Sequence, residues 1–253
     1  MPPAVATQGR MRRLVAGASA IEIKSTIPTA SIEQSLAHFG LTAENDQERY
    51  IYFFDTPDNR LFDSGLIARA RRVVGGQHDS TVKVRPVEPE LVGERWRRHP
   101  GFKLEADATA DKVVRSASLT APVKRGWIKK VAAGNREIAD LFTDEQEEFL
   151  ADMAQSIVDY ASMIVRGPIR VWRWRPVHDG LPWRITVELW EREDGDRMLE
   201  VSAKAPHTQA AAAGAGFFAF LAELGAERAL QQEAKTRWAL GLDATAGPGN
   251  SEG

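Results

Sequence analysis

Hydrophobic and polar residues alternate with period two along many stretches of the chain. In "AIEIKSTIP", Ala20 to Pro28, Ile21 and Ile23 share one face of an extended strand, while Glu22 and Lys24 share the other. The same alternation predicts strands at about 20–27, 48–55, 65–74, 79–87, 101–107, 168–177, 182–193 and 197–205. About eight strands in a chain of this length favour a β-barrel over an open sheet. Helical periods interrupt them. "SIEQSLAHFG" has Ser31 as N-cap and Gly40 as stop, and "HTQAAAAGAGFFAFLAELGA" carries an apolar stripe through Phe217, Phe220, Leu221 and Leu224. Residues 108–166 read as a helical insert that packs outside the barrel. Within it, "FTDEQEEFLADMAQSIVDYASMIV" starts at a Thr143 N-cap with acids in the first turn.

The polar face of each strand is densely charged. Arg69 and Arg71 share a parity in "LIARARRVV"; Thr81, Lys83 and Arg85 share one in "STVKVRPV"; Lys103 and Glu105 share one in "FKLEAD". Arg184, Thr186 and Glu188 do the same in "WRITVELWE", as do Glu200, Ser202 and Lys204 in "MLEVSAKA". Two arrangements fit. The charged faces meet water while helices cover the other side, or a barrel closes with its charges inward. The second requires hydration or counterions, because unpaired buried charge is strongly disfavoured. A polyanion would supply the counter-charge, and guanidinium forks match phosphate oxygens.

Composition narrows the chemistry. The 253 residues carry 33 Lys and Arg against 35 Asp and Glu, a formal net charge of -2, so no global basic field draws in nucleic acid or a membrane surface. There is no cysteine, which excludes disulfides, thiolate nucleophiles and zinc–thiolate sites and is compatible with a cytoplasmic location. No apolar run approaches the roughly 20 residues that span a bilayer. Residues 1–19 and the Gly-rich 243–253 read as flexible tails around a single domain at 20–242. The five histidines have no metal-ligand spacing, and "VVGGQHD" reads as a hairpin turn. Trp172, Trp174, Trp183 and Trp190 read mainly as packing residues against the insert.

Five segments in order resemble the CYTH domain, the triphosphate tunnel metalloenzymes: "YFFDTPDNRLFDSGLIARARR", "TVKVR", "FKLEAD", "LEVSAKA" and "EAKTRWAL". The resemblance runs from about Ala20 to Leu240 and implies an eight-stranded antiparallel tunnel that binds a triphosphate with Mg²⁺ or Mn²⁺. It implies phosphate contacts from Lys24, Arg69, Arg71, Lys83, Arg85, Arg173 and the late Lys235, with Arg170 or Arg175 as other registers for Arg173. It implies metal ligation by Glu22, Glu188 and Glu200, and a supporting acid at Glu105. Two positions depart from the pattern: Ala20 and Ser202 stand where the family carries carboxylates.

The activity implied is metal-dependent hydrolysis of tripolyphosphate or a small organic triphosphate, with Glu22, Lys24, Glu188 and Glu200 as the catalytic set and water as nucleophile. Cyclisation of ATP is the family alternative. A catalytically impaired module that binds polyphosphate or a nucleotide is another, because the basic wall survives while two acids are missing. The partner is a triphosphate-containing small molecule or inorganic polyphosphate, with no nucleic acid and no membrane. The apolar face of the 143–166 segment could serve a homodimer as well as a core.

Overall fold

The computed structural model describes residues 15, 17–42, 46–109, 112–154, 158–223, 225–226 and 235–242. Nearly all of both expected tails, and Leu224 of the expected apolar stripe, lie outside this set. Strands β1 (Ala20–Ile27), β2 (Arg49–Asp55), β3 (Leu66–Val73), β4 (His78–Val84), β5 (Phe102–Ala108), β6 (Val113–Val123), β7 (Ile164–Trp174), β8 (Arg184–Glu191) and β9 (Arg197–Pro206) form one closed barrel. Around it lie α1 (Ile32–His38), α2 (Arg60–Asp63), α3 (Glu94–Arg97), α4 (Trp127–Ala132), α5 (Asp144–Ala154), α6 (Ala210–Glu223) and α7 (Lys235–Ala239). The order around the barrel is β1-β5-β6-β4-β3-β2-β7-β8-β9.

The barrel has nine strands, not eight, and it is mixed, because β1 pairs in parallel with β5 and antiparallel with β9. The ninth strand is β6, inside the segment read as a helical insert. Its sequence "VVRSASLTAPV" alternates Ser116, Ser118 and Thr120 with Ala117, Leu119 and Ala121. The side chains are small, so the period-two signal lacks the large apolar residues that marked the other strands. β6 is indispensable to closure, since it hydrogen-bonds both β4 and β5.

The long helix expected over 143–166 is shorter. α5 ends at Ala154, a 3₁₀ turn occupies Tyr160–Ser162, and β7 begins at Ile164, four residues ahead of the expected start. Its N-terminus is a capping box: the Gln146 amide N–H donates to Thr143 Oγ1 at 3.3 Å, and the Thr143 N–H donates to Gln146 Oε1 at 3.1 Å. Gln146 is fully buried and also fastens α5 to the barrel. Its Nε2 donates to the carbonyls of Ser80 and Leu119, and its Oε1 accepts from Ser80 Oγ at 3.0 Å.

Two apolar layers cover the outside. Phe149 and Leu150 of α5 pack with Tyr52, Phe54, Val82 and Trp96, so the helix face considered for a dimer lies against the barrel. On the opposite side, Phe217, Phe220 and Leu221 of α6 cover Ile21, Ile23, Val187 and Val201. Trp172, Trp174 and Trp183 belong to this second layer, away from the insert they were expected to meet. A third cluster lies on the inward face: Ile51, Phe53, Ile169, Val171, Trp190 and Met198 share a strand parity with the charged residues and pack on Trp238 and Leu240. Part of the lumen is therefore an apolar plug.

Phe149 has no exposure and makes edge contacts with the rings of Trp96 and Phe102. Phe149→Ala is expected to cost about 3–5 kcal/mol. At about 2–4 °C per kcal/mol for a chain of this size, the melting temperature should fall by on the order of 10 °C in a calorimetric scan.

Candidate anion-binding tunnel

Closure sends the charged faces of the strands inward, apart from the Ser and Thr face of β6, and cross-strand register decides which charges meet. Arg69 sits opposite Thr81, Arg71 opposite Asp79, Arg173 opposite Glu188, and Glu188 opposite Glu200. The register also turns Arg170 out of the lumen, while Arg175, just past the end of β7, keeps the parity of Arg173. Arg173 shares the inward parity of Val171, whereas Arg170 pairs outward with Glu48 at 2.8 Å.

Three neighbourhoods result. In the first, Asp107 is ion-paired with Lys24 at 2.8 Å and accepts from Lys83 at 3.1 Å, with Arg85 at 4.0 Å, while Lys24 also reaches Glu22 at 3.2 Å. Burial opposes charge on both Asp107 and Lys24. Their attraction overcomes it, holding the Asp107 carboxyl well below its usual range and raising Lys24 well above its own. Lys83 is instead pushed down, by burial and by the cations Lys24, Arg69 and Arg85 that crowd it.

The second is a group of guanidinium ions. Burial and the neighbouring Arg173 and Arg71 bring Arg49 down to about 10; burial and Arg71 lower Arg69; burial and Arg175 contribute to lowering Arg173. Arg71 is held by Asp79 at 2.6 Å, but Arg69 makes no hydrogen bond or ion pair with a described residue. Cations that depress one another inside a barrel form a ready anion site.

The third is acidic. Lys235 on α7 lies 2.5 Å from Glu188 and 2.7 Å from Glu200, with Arg173 3.5 Å from Glu188. Burial penalises both carboxylates. Lys235 and Arg173 hold Glu188 below the usual range, whereas burial and the adjacent Glu188 leave Glu200 raised. Burial likewise opposes charge on Glu22, yet Lys24 and Lys235 keep it lowered, and Ser202 Oγ donates to it at 3.2 Å.

The expected site residues thus all face one lumen, but in different company. Lys24, Arg69, Arg71, Lys83, Arg85 and Arg173 form the basic wall. Glu105 bonds Lys204 across the barrel, and Lys235 contacts acids. The metal does not fit the donors as arranged. Among the described residues, no three His, Asp or Glu side chains converge on one point, and Glu22, Glu188 and Glu200 are each already held by lysine. Ala20 and Ser202 add no carboxylate.

Sequence reading missed Asp107, Asp79 and Arg49. Asp107 continues the parity of Lys103 and Glu105 and was open to detection on that ground. Arg49 shares its face with Ile51 and Phe53, so alternation disguised it as an outward residue.

No family model matches the chain, and neither does any curated protein. Its fold does match solved structures. A candidate adenylate cyclase from Bacillus halodurans superposes with a TM-score of 0.60 at 12% identity, covering 87% of this chain and 96% of that one. HpAC1 from Hippeastrum, a candidate adenylyl cyclase described as having a dominant triphosphatase activity, gives 0.61 at 17% identity, covering 88% and 95%. The shared feature is the barrel fold. No helix of the described residues is long and apolar enough to cross a membrane.

Asp107→Asn leaves Lys24 and Lys83 without their shared acid and should destabilise the free protein by on the order of 1–3 kcal/mol at neutral pH. Because the folded-state pKa of Asp107 is depressed, its contribution is present above the unfolded value near 3.9 and disappears as pH falls through the lower folded value. The gap between wild type and variant in thermal melts should therefore narrow on acidification below about pH 4.

Proposed function

We infer that the tunnel binds a triphosphate, inorganic or organic, as an extended chain of phosphoryl groups along its basic wall. The observation that carries this reading is the arginine group: Arg49, Arg69, Arg71 and Arg173 crowd one stretch of lumen, and Arg69 makes no hydrogen bond or ion pair with a described residue. Their forks offer bidentate donors to phosphate oxygens, and Lys24, Lys83 and Arg85 extend the wall once phosphate competes with Asp107 for them. Recognition of the polyanion is the function this geometry supports best.

Hydrolysis is the second reading, favoured by the fold shared with a protein that has triphosphatase activity. In this chain it would draw on the same arginines to stabilise charge on the transferring phosphoryl group. The pairing of Glu188 and Glu200 with Lys235 places it second, and cyclisation of ATP stands with it.

Calorimetric titration with tripolyphosphate tests the reading. Saturable binding by wild type is expected, weakened about 10–100-fold in Arg69→Ala, as befits loss of charged hydrogen bonds. No binding, or equal binding by the variant, would refute it. Phosphate release from tripolyphosphate, ATP and thiamine triphosphate with Mg²⁺ or Mn²⁺, with a cyclic AMP readout for ATP, ranks the second reading. Metal-dependent turnover abolished in Glu200→Ala would place hydrolysis first.

A further inference from the structure

We propose that Lys235 is a built-in counter-cation that takes the place of a divalent ion between Glu188 and Glu200, so that this tunnel binds triphosphate without metal. The inference rests on the triphosphate-binding reading above. It begins from register: Glu188 and Glu200 are direct neighbours on β8 and β9, two inward carboxylates that closure forces together. Such a pair must take up either a proton or a cation. Lys235 Nζ supplies it at 2.5 and 2.7 Å, and the three side chains retain only 19%, 15% and 6% exposure.

Several contacts fix the ammonium there. The Trp190 ring centroid lies 5.0 Å from Nζ, and Trp190 Nε1 donates to Glu188 Oε2 at 3.2 Å. One helical turn on, Trp238 is buried in the apolar plug. Its Nε1 donates to Asp196 at 2.9 Å, and its carbonyl accepts from Arg192 at 3.0 Å. Leu240 is buried in the same cluster.

A Mg²⁺ ion demands oxygen ligands at about 2.0–2.1 Å in a near-octahedral shell. An ammonium in contact with both carboxylates excludes it. The base of Lys235 is held by α7, whose Trp238 is embedded in the plug together with Leu240 just beyond the helix. The rest of the acid set agrees. Ser202 offers Glu22 a hydroxyl donor, a group suited to stabilise a carboxylate rather than to share a cation with it. The acids are thus neutralised internally, while the arginine group remains for phosphate.

The test uses the full chain and two independent readouts. Free Mn²⁺, followed by electron paramagnetic resonance, is titrated against wild type, Lys235→Met and Glu200→Gln. Methionine keeps an unbranched stem and removes the charge. Calorimetry then measures tripolyphosphate binding by wild type in EDTA and in Mg²⁺. We expect no saturable Mn²⁺ uptake by wild type, uptake of about one ion per chain by Lys235→Met, and tripolyphosphate affinity in EDTA within about threefold of that in Mg²⁺.

Saturable Mn²⁺ binding by wild type that disappears in Glu200→Gln would overturn the proposal. So would a folded Lys235→Met variant that gains no Mn²⁺ site, or tripolyphosphate binding that requires Mg²⁺. Should Lys235→Met fail to fold, the two wild-type measurements still decide. Absence of tripolyphosphate binding in both conditions would instead refute the tunnel reading, and the Mn²⁺ titration would still judge Lys235.

Discussion

Everything in this molecule follows from pairing charges that barrel closure has turned inward. Most strands offer one apolar and one charged face, and the outward apolar faces are claimed by α5 on one side and α6 on the other. The charged faces must then satisfy one another across the lumen. Asp107 shows how tightly: a single carboxylate serves Lys24 and Lys83 and lies within reach of Arg85. Acids run short around Arg49 and Arg69, where positive charge crowds beside Arg71 and Arg173. Fold and site are two outcomes of one electrostatic constraint.

The lumen is not uniform, and that shapes its chemistry. The apolar plug anchors α7, and α7 carries Lys235 to the two acids. Packing thereby sets the charge balance of a polar site several residues away. The burial of Trp238 and the pairing of Glu188 are parts of one arrangement.

Much of this was legible in the sequence. Period-two alternation located eight of the nine strands and grouped Arg69 with Arg71 and Lys83 with Arg85, because charged and apolar residues alternate there without a break. β6 escaped, since Ser116, Ser118 and Thr120 carry no charge and two of the three residues alternating with them are alanines. Arg49 escaped for the opposite reason: its inward companions Ile51 and Phe53 are apolar, so the rule that charge marks the lumen failed there. The role of Lys235 was out of reach. Its partners are set by how a short C-terminal helix seats on the barrel, which no local pattern encodes.

The pairing of β1 has a consequence for the birth of the fold. This first strand lies between β5 and β9, with Ile27 opposite Leu199 and Ala20 opposite Pro206. A chain emerging from the ribosome cannot complete the hydrogen bonds of β1 until β9 has followed it out. Contacts of such sequence separation are slow to form, because a long loop must close before they stabilise anything. Glu22 and Lys24 ride on that strand, so the acidic and basic walls are brought face to face late in assembly. Until then their charges remain in water.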